Sequence, residues 1–257
     1  MEWKTIKVEF DGPICYIKFN RPNTKNAINN LLIEECHRVV SLCEKKSSVV
    51  IFEGSPQAFC FGADFNEVEF SGNSKTQRAQ GPDLLYDLWL KMASGPFISI
   101  SHVRGVANAG GIGFVAASDI VIADDTAVFS LSELLFGLFP AMVLPFLIRK
   151  IGYQKSNYLT LTTRPINVQL AYELGLVDEY QKNSNGLLKR QLARVIKLPK
   201  SGIKQYKNYM MELNDFVFKS KKHAVETNQS IFSDSFNLER IRLFVEKGIY
   251  PWEGNDE

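Results

Sequence analysis

Histidine and cysteine are scarce in this chain: 257 residues hold three of the first and four of the second. His37, His102 and His223 stand far apart, and Cys15, Cys36, Cys43 and Cys60 form no Cys-x-x-Cys pair. The ligand spacing of a transition-metal site is therefore missing, and no metal is expected. Three of the cysteines lie in apolar runs, which points to buried thiols rather than disulfides. No apolar stretch approaches the ~18 uninterrupted residues that a membrane helix needs. "MEWKTIKVEF" is charged from its second residue and lacks the apolar core of a secretory signal, so a reducing cytoplasm is the expected compartment. An excess of either charge is also lacking. Thirty basic against 28 acidic residues leave a net +2, which gives no electrostatic case for nucleic acid or a membrane surface as partner.

What is present is the raw material of a globular domain, with 45% hydrophobic and 23% charged residues. "KTIKVEF" and "ICYIKFN" alternate as strands around an Asp11-Gly12 turn. In "AINNLLIEECHRVVSLCEKK" the apolar positions Ile28, Leu31, Leu32, Val39, Val40 and Cys43 take the one-sided spacing of an amphipathic helix. "SSVVIFEG" is the short apolar run of a strand buried on both faces. The polar residues 71–83, with Gly and Pro, suggest a mobile loop, able to act as a lid. A helix in "LLYDLWLKMA", a strand in "PFISISHVRG" and a small-residue helix feeding a strand in "GFVAASDIVIAD" follow. Beyond Leu144 the pattern turns mostly helical, with a joint at "LPKSG". This order predicts an α/β core over 1–195 and a helical region over 196–257.

Two bends stand out. "CFGADF" (Cys60 to Phe65) and "ANAGGIG" (Ala107 to Gly113) each end an apolar strand in small residues. Small side chains let a ligand approach the backbone, and two N–H groups aimed at one point stabilise an oxyanion. Each bend alone is equally a tight strand-to-helix turn. "GGIGFVA" also fits a dinucleotide fingerprint, but Asp124 and Asp125 come too early for the acidic residue about 20 positions on.

Together, "NRPNTKNAIN", "FCFGADF", "GVANAGGIGFVAASDIVIADDTAVFSLSELLFGLFP" and "IFSDSFNLERIRLFVEKG" resemble the crotonase (enoyl-CoA hydratase/isomerase) superfamily, in family order over nearly the whole chain. The resemblance implies a spiral of ββα units and C-terminal helices that build a trimer or a hexamer. It implies no cofactor beyond a thioester carried on CoA or phosphopantetheine, its carbonyl held by the amides of Ala63 and Gly110. Phe61, Gly62, Asp64 and Gly111 would line the substrate, although Asp64 also suits a structural acid bonding its own loop. Hydratases of the family usually carry two glutamates; here Glu133 fills one position and Gly113 stands at the other. Glu133 lies in an apolar run, where desolvation favours a working acid/base; the competing picture is an exposed acid in a turn capped by Ser132.

The one-glutamate pattern is similar to the branch that serves polyketide β-branching. That implies dehydration of 3-hydroxy-3-methylglutaryl-acyl carrier protein to 3-methylglutaconyl-acyl carrier protein. The alternatives are a hydratase or isomerase of CoA thioesters, the decarboxylase of the same cassette, or an inactive assembly subunit. For the distal carboxylate, Lys75, Arg78, Lys91 and Arg104 are open candidates. Lys197, Lys200, Lys204 and Lys207 form either a contact for phosphopantetheine or an acidic carrier protein, or a solvated helix face. Tyr250 and Trp252 are expected to pack the C-terminus.

Overall fold

Alternate residues of one strand feed two separate cores. In β3 (Val49–Glu53), Val50 and Phe52 enter one hydrophobic cluster and Val49 and Ile51 another, so no face of the strand is left for water. The computed structural model describes residues 2–65 and 75–253, the side chains of 75–80 apart. β1 (Ile6–Asp11) and β2 (Ile14–Phe19) pair antiparallel, and β2, β3, β5 (Ile98–Val103), β7 (Ile120–Ala123) and β10 (Glu179–Tyr180) continue the sheet in parallel. A second sheet sets β4 (Ala58–Cys60), β6 (Val106–Asn108) and β8 (Val128–Ser130) parallel, with β9 (Ile166–Asn167) antiparallel at its edge.

Successive units place one strand in each sheet and then a helix: β3, β4 and α2 (Lys75–Ser94), then β5, β6 and α3 (Gly110–Ala117). This is the spiral of ββα units that the sequence suggests. α1 (Asn30–Lys46) precedes the first unit, its N-terminus capped by the Asn29 side chain. α4 (Leu144–Ile151), α5 (Tyr153–Thr162) and α6 (Val168–Leu174) follow the spiral. α7 (Ser184–Val195) lays Leu187, Leu188, Leu192 and Val195 on the outer face of the large sheet, where Ile203 of α8 (Lys200–Leu213) joins them. α9 (Phe216–Lys219), α10 (Lys221–Ile231) and α11 (Ser235–Lys247) complete the chain.

Several local expectations shift. The hairpin turn lies at Gly12-Pro13, because Asp11 still pairs with Ile14. Residues 75–83 are helical rather than loop. Lys, Gln, Arg and Ala favour a helix there, and packing of the later part of α2 carries it through Pro82 despite the missing donor. Residues 71–74, the first part of the supposed lid, lie outside the described residues. Lys207 is no solvated charge: it is buried and donates to the carbonyls of Met92 and Phe97 and to Asp119. Lys200 likewise closes the end of α1, donating to the carbonyls of Cys43 and Ser47.

All four cysteines are free and buried. His102 links Glu53 (Nδ1 to Oε1, 2.6 Å) and Ser184 (Nε2 to Oγ, 2.8 Å), a nucleophile-like set whose burial makes it a tie between β3, β5 and α7. Among the described residues no helix is long and apolar enough to cross a membrane.

Candidate active site

The topology explains why the two bends meet. β4, β6 and β8 are parallel neighbours, so the segments leaving their C-terminal ends emerge side by side. These are Phe61–Asp64 after β4, Ala109–Gly111 after β6, and the turn at Glu133 after β8. Crevices at strand C-termini are the usual place for ligands in such sheets.

At the first bend, Ile28 bridges to Ala63 in parallel: the Ile28 N–H donates to the Gly62 carbonyl at 2.7 Å and the Asp64 N–H to the Ile28 carbonyl at 3.0 Å. That pattern leaves the Ala63 N–H facing the other way. At the second bend, the Ala109 N–H donates to the Ser130 carbonyl, and Ala109 takes φ +49°, ψ −121°, a conformation rare for a residue with a side chain. Such strain costs about 1–3 kcal/mol. It turns the next peptide so that Gly110 begins α3 with its N–H outside the helix ladder, at the positive end of the dipole. Among the described residues no acceptor takes the N–H of Ala63 or Gly110.

The bends touch. A side-chain carbon on Gly62 (φ +90°) would lie 2.7 Å from the Ala109 Cβ and 3.3 Å from the Gly110 nitrogen. Gly111 has a different reason to lack a side chain, since a Cβ there would collide with the Cys60 carbonyl at 2.2 Å. Phe61 is exposed beside the bend, with the Lys25 ammonium 4.7 Å from its ring centre.

Asp64 is buried and pairs with Arg21 at 2.8 Å. Arg21 comes from the "NRPNTKNAIN" segment, so the acid ties that segment to the first bend. Asn26 of the same segment braces the strand, donating to the Ala58 and Phe59 carbonyls and accepting from the Arg21 N–H. Burial pushes the Cys60 thiol up to about 12, so it offers no thiolate beside the bend.

Glu133 opens a 3₁₀ turn, Glu133–Phe136, ended by Gly137 at φ +75°. The residue as a whole is half-buried, but its Oε2 is sealed from solvent. Among the described residues Oε2 meets no hydrogen-bond partner. Burial raises the carboxyl pKa to about 7, opposed in part by the residue's own N–H. Ser132 does not cap the turn; its Oγ accepts from the Asn108 side chain instead. α11 covers this region from behind, packing Ile241 and Phe244 against Phe136 and Leu138. Tyr250 and Trp252 stack on one another and extend that aromatic contact.

At Gly113, where the family resemblance places a second glutamate, a Cβ would stand 2.2 Å from the Trp89 indole. Trp89 is fully buried between Phe114 and Phe146 and fills that space. No feature of the sequence joins Trp89 to Gly113. Asn108, by contrast, stands within the "ANAGGIG" motif, although its side-chain partners Phe61, Ser130 and Ser132 lie outside it. Of the candidate cations, Lys91 is paired with Glu44 at 2.9 Å and Arg104 stands 4.0 Å from Glu53, whereas the side chains of Lys75 and Arg78 lie outside the described residues.

The arrangement sets two free backbone donors near one point and one proton-holding carboxyl on the neighbouring strand end. Such a site can polarise a carbonyl and move a proton beside it. Comparison with known proteins identifies the family. The bacillaene synthase dehydratase PksH of Bacillus subtilis is 52% identical over 252 residues, covering 98% of this chain and 97% of that one. A crystal structure of pksH from Bacillus subtilis, by its given name a polyketide biosynthesis enoyl-CoA hydratase, superposes with a TM-score of 0.90 at 50% identity, over 97% of this chain and all of the other. An enoyl-CoA hydratase from Bacillus halodurans, 20% identical, shares the fold with a TM-score of 0.86 over 93% of this chain and 99% of its own. The enoyl-CoA hydratase/isomerase family model matches residues 9–255, and the chain belongs to that family.

Proposed function

We propose that this enzyme dehydrates 3-hydroxy-3-methylglutaryl-acyl carrier protein to 3-methylglutaconyl-acyl carrier protein in polyketide β-branching. The observation that carries the reading is one carboxyl with a sealed oxygen, Glu133, on the strand end next to the two bends, while the second carboxylate position is Gly113 backed by Trp89. The likeness to a bacillaene synthase dehydratase supports the same direction.

The thioester carbonyl accepts from the Ala63 and Gly110 N–H groups. Ionised Glu133 removes the α-proton, and the electron pair moves onto the carbonyl oxygen as an enolate. Glu133, now protonated, gives that proton to the β-hydroxyl on the same face. As the enolate collapses, the C–O bond breaks, water leaves and the α,β double bond forms. A pKa near neutrality suits a group that must act as base and then as acid. Phe61, Gly62, Asp64 and Gly111 shape the bends around the acyl group. The pantetheine-borne thioester is itself the substrate, and no further cofactor takes part. The enzyme works as a homotrimer or a dimer of trimers in the cytoplasm.

Mass spectrometry of the hydroxymethylglutaryl carrier protein, before and after incubation, tests the reading. Loss of one water is expected. Loss of carbon dioxide, or turnover confined to CoA thioesters, overturns it.

A further inference from the structure

Glu133 poses a problem of placement. No side chain among the described residues bonds its Oε2, so its position relative to the two amide donors depends on where its loop is held. One neighbour of that loop reaches all three parts of the site. Asn108 is buried, and its Oδ1 accepts from the Ser130 hydroxyl at 2.7 Å. Its Nδ2 donates to the Ser132 Oγ at 3.0 Å and, at 3.5 Å, to the Phe61 carbonyl.

Each contact lands within two residues of a working group, or on the strand end that carries it. Ser132 precedes Glu133, Phe61 precedes Gly62, and Asn108 itself precedes the Ala109–Gly110 peptide. An amide whose acceptor and donor ends are both engaged cannot rotate without losing a bond on each side. Ser130 adds a second tie, its carbonyl accepting from the Ala109 N–H. A hydrophobic residue at 108 would fill the space and leave Ser132 without its donor.

We infer that Asn108, acting through Ser132, is a positioning residue that sets Glu133 against the oxyanion donors. This rests on Glu133 being the base of a thioester reaction. Misplacing a reacting group by about 1 Å can cost as much as 10²-fold in rate.

The experiment compares Asn108→Ala, Ser132→Ala and the double variant with wild type on the same thioester, alongside Glu133→Gln. Asn108→Ala and Ser132→Ala should each lower kcat by about 10–100-fold. KM should stay within about twofold of wild type and the acidic limb of the pH profile should not move, because placement changes and ionisation does not. The double variant should be no worse than the poorer single one, since both break one link. Wild-type kcat in Ser132→Ala, or losses that multiply in the double variant, overturns the inference. If Asn108→Ala fails to fold, Ser132→Ala alone still decides, because Ser132 caps nothing and only its hydroxyl is removed. Full activity in Glu133→Gln would instead remove the base itself, and the inference with it. A fall in melting temperature without the kcat loss would assign Asn108 to stability alone.

Discussion

Holding Glu133 ionised in a sealed site works against the fold. Its carboxyl pKa rises from 4.5 to about 7, so the folded protein binds that proton more tightly than the unfolded chain. Between these two values the contribution of Glu133 to stability falls as pH rises, and above about 7 the full penalty stands, roughly 3 kcal/mol at most. Glu133→Gln keeps the shape but cannot ionise. It should lower dehydration by about 10²–10⁴-fold and yet resist urea better than wild type at pH 8, with little difference near pH 4. Equal gains at both pH values would show that ionisation is not the cause. In wild type, kcat/KM should rise through about pH 7, where the base loses its proton. Gly62 is the other residue that admits little change. A methyl at Gly62 would wedge between the bends, against both the Ala109 Cβ and the Gly110 nitrogen. Gly62→Ala should cut turnover by a hundredfold or more, near the 3–4 kcal/mol of a lost oxyanion donor. Full turnover in a folded Gly62→Ala protein would place the carbonyl elsewhere.

Among the elements, what was legible in the sequence was local. β3 announces its double burial by an unbroken apolar run, and both bends by small residues at strand ends. Contacts between distant elements were not legible. Trp89 of α2 meets Gly113 of α3 across 24 positions, and neither residue type signals the other. Gly81 and Pro82 suggested a loop because breakers outweigh their neighbours in a local window, while tertiary packing continues the helix. Lys207 looked solvated because its neighbours on α8 are. The Trp89 contact has a direct consequence. Gly113→Glu should not create a two-carboxylate hydratase: the new Cβ meets the indole, and even Gly113→Ala should cost about 1–3 kcal/mol by overpacking. Thermal melts read this, and a stable, hydrating Gly113→Glu protein would refute it. The buried tie from α8 to the spiral is testable in the same way. Lys207→Met removes the ammonium from Asp119 and from the Met92 and Phe97 carbonyls; Asp119 is partly exposed and keeps two donors from Ser99, so the loss should be about 1–3 kcal/mol. A change within 1 kcal/mol, by the same melts, would mean that water replaces the ammonium.

At the scale of the whole molecule, α8 divides its apolar residues between two surfaces. Ile203 lies in the chain's own core with α7 and the large sheet. Tyr206, Met210 and Leu213 stay outside, Tyr206 and Leu213 each more than 60% exposed, at the i, i+4, i+7 spacing of one helix face. Phe216 and Phe218 of α9 extend the exposed set. Single exposed apolar residues are ordinary, whereas several on one face mark a surface that loses water on association. A trimer through this region would remove them from solvent. Light scattering at micromolar concentration should then report three times 29.1 kDa, or six. Met210→Glu with Leu213→Glu should break the assembly, because two carboxylates would have to be buried without partners. Circular dichroism should be preserved, since neither side chain belongs to the chain's own core clusters. A wild-type monomer under these conditions, or a double variant that still assembles, would remove α8 from the interface.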